Sequence, residues 1–245
     1  MRKIYLLDGT TDGFFTAVFD AYKEEKAYLT KQKNVQVGLF DECISVNADE
    51  EKAGRVQKKL RSISSQGYNE VLQILRTNLE DGAQIAFQYL KLLVAYGGAA
   101  RSRLTEPTVR RALELCGQVW TEVHRLKGFL RFQETATGLL YAHCKPDNDV
   151  VELLMPHFIA RLHGIPFVIH DVARSIAGLY DGSAWTVAAV GEAEIALSEK
   201  EISFSSLWKN YYRTVAIPSR KNVRQQKNYM PTRYWSTLVE DPREE

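Results

Sequence analysis

Residues able to do chemistry gather in two parts of this chain. The first lies between positions 157 and 174. "PHFIARLHG" sets His157 and Arg161 four apart, on one face of a helix, and "IHDVAR" puts His170 and Asp171 at a strand end with Arg174 just beyond. A histidine beside a carboxylate is the raw material of a general base, and two arginines can hold a phosphate. His157, Arg161, His170, Asp171 and Arg174 are therefore the candidate catalytic group, for an enzyme acting on DNA or a nucleotide. The same types also serve structure, as a hydrogen-bonded histidine and an Asp–Arg pair that steadies a hairpin.

The second part is "LWKNYYRTVAIPSRKNVRQQKNYMPTRYWSTLVE", Leu207 to Glu240. Residues 202–239 hold seven of the 32 lysines and arginines and none of the 30 acidic residues, which leaves 25 cations against 30 anions elsewhere. A net charge of +2 thus conceals a strongly basic end, and localised charge of this kind points to a polyanion partner. Phosphates of nucleic acid would relieve the crowding of like charges, and aromatic rings would stack on unpaired bases. The candidate nucleic-acid contacts are Lys209, Arg213, Arg220, Asn222, Arg224, Lys227, Tyr229, Arg233, Tyr234 and Trp235. Single-stranded or damaged DNA suits such a set better than intact duplex. Three blander readings compete. The cations pair with the acidic surplus within the protein or across a subunit interface, they form a solvated face, or the tail docks on an acidic protein partner as an interaction module.

Spacing divides the segment. Phe204, Leu207, Trp208, Tyr211, Tyr212 and Val215 recur at helical intervals, so Trp208, Tyr211 and Val215 are expected to anchor it in the core. Ile217-Pro218 ends that helix. Ser219 is expected to cap a second helix running to Tyr229, with Arg220, Arg224 and Lys227 in one cationic stripe and Asn222 and Gln226 in a polar one. Pro231 stops it, and Thr232 is placed to cap a third.

Other motifs carry less. His143, Cys144, His157, His163 and His170 lack a structural zinc spacing. "DGTTDGF" sits between a strand and a helix, but it has no Walker lysine and two aspartates that would repel phosphate, so it reads as a plain turn. No GxGxxG or GxSxG occurs, and no cofactor is implied. The three cysteines, Cys43, Cys116 and Cys144, are odd in number and far apart, as expected of reduced thiols in a cytoplasmic protein. No apolar run approaches the ~20 residues of a membrane span, so no membrane partner is expected.

The elements that must position these residues are read from periodicity. "KIYLL" is a buried strand, a helix starts near Asp12, and "NVQVGLF" and "ECISVN" are short strands. Residues 49–128 are helical throughout, with three apolar stripes that pack together. These centre on Val71 and Ile74, on Tyr89 and Leu93, and on Cys116 and Val119. "FLRFQETATGLLYAHC" is a hairpin turning at Ala136–Gly138. "DVVELLMPHFIARLHG" is a helix with Pro156 threatening a kink or split, and "FVIHDVARSIAGLYDG" and "AWTVAAV" are strands. The class expected is α+β and helix-rich, with an antiparallel sheet built from hairpins and a basic C-terminal helical segment. One unit spans 1–245, with sub-regions 1–48, 49–128, 129–191 and 202–245.

Four stretches, "YLLDGTTDGFFTAVFDAY", "LRFQETATGLLYAHCKPDNDVVELLMPHFIARL", "FVIHDVARSIAGLYDG" and the basic segment, carry a resemblance over nearly the whole chain. The chain resembles a bacterial family of DNA-repair or DNA-metabolism proteins. Members of that family are encoded beside a radical-SAM protein, and a related domain occurs fused to uracil-DNA glycosylases. The resemblance implies an accessory role in DNA repair or modification with a radical-SAM partner. It brings no assigned catalytic residue. The chain has no CxxxCxxC cluster motif, so it is not itself the radical-SAM enzyme.

Overall fold

A computed structural model describes residues 2–32, 34–191 and 195–240. The contacts divide the chain into two compact units, Met1–Trp120 and Thr121–Glu245. The division falls inside the stretch read as helical, within one long helix.

In the first unit β1 (Lys3–Leu7) leads through α1 (Thr11–Ala21) to β2 (Ala27–Thr30), and β3 (Glu42–Val46) completes a parallel sheet of order β2-β1-β3. The crossover helix between β1 and β2 is what makes their pairing parallel. Of "DGTTDGF", Asp8–Thr10 form the turn and the remainder already belongs to α1. The Thr10 hydroxyl caps α1 by accepting from the Gly13 amide, and the Asp8 carboxylate accepts from the Thr10 and Ala48 amides. "NVQVGLF" is not a strand. The unforeseen β2 is, because its backbone has β1 to pair with.

The helical stretch resolves into α2 (Glu50–Ile63), α3 (Ser65–Leu75), α4 (Gly82–Tyr96), a 3-10 turn (Gly97–Ser102) and α5 (Pro107–Phe129). Asp49 and Ser64 cap α2 and α3 through their side chains, as short polar residues do. Val71, Ile74, Tyr89, Leu93 and Cys116 join one buried cluster, so the three stripes do meet. Buried Glu70 accepts from the Tyr89 hydroxyl at 2.5 Å and from Arg101 Nε at 2.7 Å. Burial pushes the Cys116 thiol up to about 12, which makes it a protonated core residue at neutral pH.

The second unit takes the last turns of α5 and then β4 (Gln133–Glu134), β5 (Leu140–Cys144), α6 (Val151–Leu162), β6 (Phe167–Asp171), β7 (Ile176–Tyr180) and β8 (Trp185–Ala189). Its sheet has the order β4-β5-β6-β7-β8. The hairpins are antiparallel, but β5 and β6 pair in parallel. The sheet is therefore mixed, which corrects the antiparallel expectation. The cause is α6, which carries the chain back so that β6 starts beside the start of β5. Pro156 lies inside α6 without splitting it. Helix α6 rests on the sheet at Gly178, where a Cβ would come within 2.3 Å of Met155 Sδ and 3.0 Å of Val151 Cγ1.

The described residues close with α7 (Glu199–Val215), a second 3-10 turn (Pro218–Arg220), α8 (Val223–Tyr229) and a third 3-10 turn (Thr232–Thr237). Among the described residues no helix is long and apolar enough to cross a membrane.

Candidate nucleic-acid interface

The candidate catalytic group does not converge. Phe167, Ile169 and Asp171 are the buried residues of β6. Ile169 pairs with Gly178, so this is the sheet face covered by α6, the helix of His157 and Arg161. His170 alternates to the opposite face. There its Nδ1 meets the Tyr141 hydroxyl at 2.8 Å, and His143 lies directly across on β5. Asp171 does not orient His170. It is fully buried and accepts from the amides of Ala173 and Arg174 and from Arg174 Nη1 at 2.8 Å. Arg174 continues to the carbonyls of Pro146 and Asp147. The Asp171–Arg174 pair is thus a clip between two loops. His157 packs edge-on against Phe158, and its Nε2 is buried without a hydrogen-bond partner among the described residues. Burial, with Lys127 and Arg161 adding to it, lowers its pKa. Arg161 is exposed on the same helix.

The basic segment is held at its ends. Ser198 caps α7 and donates its amide to the Glu134 carbonyl, while Glu201 accepts from the Glu134 amide. At the far end Glu240 accepts from Arg131 Nη2 at 2.9 Å and from the Trp208 indole at 3.0 Å. These bonds overcome the effect of burial and hold the Glu240 carboxyl below its ordinary value. A second anchor centres on Glu122 of α5, only 2% exposed. It accepts from the amides of Asp147 and Asn148, from Asn148 Nδ2, from Arg233 and from the Tyr234 hydroxyl. Arg233 also pairs with Asp147 at 2.6 Å.

This anchoring corrects three expectations. Tyr234 and Trp235 are 0% and 6% exposed, so these rings are core and cannot take a base. A buried aromatic removes about 150–250 Å² from water, and here that gain holds down the end of the basic segment. Arg233 is spent on internal carboxylates, as the pairing alternative describes. On α7 the roles reverse. None of its residues is buried among those described, and Tyr211 and Val215 are 58% and 50% exposed. Helical spacing defined the face correctly, but spacing does not supply a surface to cover it. Trp208 is half-buried and held by its indole N–H. Lys209 is half-buried as well.

The expected cationic stripe is also rearranged. Arg220 closes a 3-10 turn, and α8 begins only at Val223, with Asn222 as its cap accepting from the Gln225 amide at 3.0 Å. Arg220 is therefore not in register with Arg224 and Lys227. It lies instead on a hollow of about 780 Å³ between the end of α7 and α8. Arg213 and Lys221 supply further charge there, Tyr212 and Tyr229 supply rings, and Gln225 and Gln226 supply amides beside Asn222. Ala216 and Ile217 form its apolar part, and among the described residues no carboxylate lines it. Arg224 and Lys227 occupy the other side of α8. Among the described residues Arg213, Arg220, Arg224 and Lys227 have no ion pair.

Sequence reading missed Glu122, Glu240 and the hollow. Glu122 carried a signal, since it shares an apolar face with Val119 and Val123. A lone carboxylate there must have donors. The hollow needed the turn at Pro218–Arg220, which spacing alone did not show.

Fold and site define an α+β protein with a cationic, aromatic hollow in an exposed helical segment. Residues 80–240 match the family described as a domain of unknown function, DUF4130. The chain belongs to that family, and the match takes in the hollow and both of its anchors. No curated protein and no solved structure matches the chain.

Proposed function

We propose that this protein is a DNA-binding accessory protein of repair or modification, and that the segment from α7 to α8 holds single-stranded or damaged DNA. One observation carries the reading. Arg213, Arg220 and Lys221 share a hollow with two tyrosines and three side-chain amides, and no carboxylate stands among its described lining residues. Four cations with no ion pair among the described residues, Arg213, Arg220, Arg224 and Lys227, would be relieved by phosphates. The family resemblance adds a radical-SAM protein as working partner. The apolar face of α7, with Phe204, Leu207 and Tyr211 exposed, is the surface such a partner would cover.

The test is fluorescence anisotropy with single-stranded, duplex and damaged oligonucleotides over a range of salt, with and without the radical-SAM protein. The reading expects single-stranded or damaged DNA to bind more tightly than intact duplex, and every affinity to fall as salt rises. Binding only to the protein partner, with none to any oligonucleotide, would leave the tail as a protein-docking module and refute the DNA role.

A further inference from the structure

We infer that the hollow between α7 and α8 receives one unstacked nucleotide unit of a DNA strand, base and phosphate together. The inference rests on the nucleic-acid reading above and narrows it to a particular ligand unit. Shape is the first argument. A duplex is read by protein elements that enter its grooves. Here the concavity belongs to the protein, so part of the nucleic acid must enter it. Bases can do so only when they leave the stack. The hollow, about 780 Å³, lies in the range of roughly 300–1,000 Å³ typical of pockets for small-molecule ligands.

The lining chemistry is the second argument. A site for phosphate alone needs donors and cations. This one adds an apolar part at Ala216 and Ile217 and a tyrosine ring at Tyr229, which is 73% exposed and so has little packing of its own. A base face would cover it. The amides of Gln225 and Gln226 each offer both a donor and an acceptor, as base edges require. Asn222 Oδ1 is engaged by the Gln225 amide, which leaves its NH₂ as a donor. Arg213 and Arg220 are placed for the phosphate attached to the same nucleoside. Arg224 and Lys227, three apart on the other side of α8, would follow the phosphates of the neighbouring units.

The ligand could come from a strand or from the free nucleotide pool, and the test separates these. Affinities of the full-length protein are compared for a normal single-stranded oligonucleotide, one of equal length made only of abasic units, and a free deoxynucleoside monophosphate. The expected result is a preference for the normal strand over the abasic one of at least about five-fold, the low end of what base–aromatic stacking supplies, and weak binding of the monophosphate. Tyr229→Ala and Gln226→Ala should each shrink that preference while the salt dependence stays as in the wild type. Equal affinity of the wild type for normal and abasic strands, with ordinary salt dependence, overturns the nucleotide pocket but leaves DNA binding standing. Monophosphate binding as tight as the oligonucleotide overturns the strand-borne unit. Failure to bind either strand removes the DNA reading itself, and this inference with it.

Discussion

The Tyr234 hydroxyl donates a 2.9 Å hydrogen bond to Glu122, across 112 positions of chain. Tyr234 is wholly buried, and burial pushes its phenol up to about 12, so it remains a donor at neutral pH. The end of the basic segment is therefore a structural anchor. The part available to a ligand lies between the anchors, from α7 to Tyr229.

Tyr234→Phe removes one donor from a buried carboxylate. A hydrogen bond to a charged group contributes about 1.5–3 kcal/mol, and chemical denaturation should show a loss of that size. Glu122→Ala strips the acceptor from five donors and leaves Arg233 short of a partner, so its cost should be about 3–5 kcal/mol.

The two kinds of arginine should separate in a salt titration. Arg220→Ala should reduce the slope of log K against log salt by about 0.7, the contribution of one phosphate on a single strand. Arg233→Ala should leave the slope unchanged and lower stability instead, because Arg233 is paired with Asp147 and Glu122.

Gly182 adopts φ +103°, and a Cβ there would lie 2.8 Å from the Gly164 carbonyl oxygen. The contact is with backbone, which cannot swing aside. Gly182→Ala should cost about 1–3 kcal/mol, whereas Gly191→Ala, with open space around it, should cost much less. Thermal unfolding of the two variants makes the comparison.

His143 gives a pH dependence. Burial, and then the neighbouring His170, lower its pKa from 6.5. Below pH 6.5 the unfolded chain therefore takes up more protons at this site than the folded one. The contribution of His143 is complete above that pH and declines as pH falls toward its folded value. Urea midpoints should drop as pH falls below about 6.5, and His143→Phe should flatten that part of the profile.

Periodicity made the core legible, because apolar spacing reports a buried face directly. Val71, Tyr89 and Cys116 all entered the cluster their stripes implied. The parallel pairing of β5 and β6 was not legible, since strand direction depends on where α6 returns the chain. In the basic segment composition identified the charge, but only three-dimensional partners decide which cations are spent. Arg233 and Arg220 look alike in sequence, yet one meets Glu122 and Asp147 while the other lines the hollow. Tyr229 and Tyr234 divide the same way, one exposed and the other buried.

The most direct test of DNA binding through the α7–α8 segment is the salt dependence of single-stranded DNA affinity for the wild type and for Arg220→Glu combined with Arg224→Glu. Four phosphates met by Arg213, Arg220, Arg224 and Lys227 predict a slope of about −3 and a loss of more than about ten-fold in affinity on double charge reversal. Affinity that ignores salt, or that survives the double reversal in a folded protein, would contradict it.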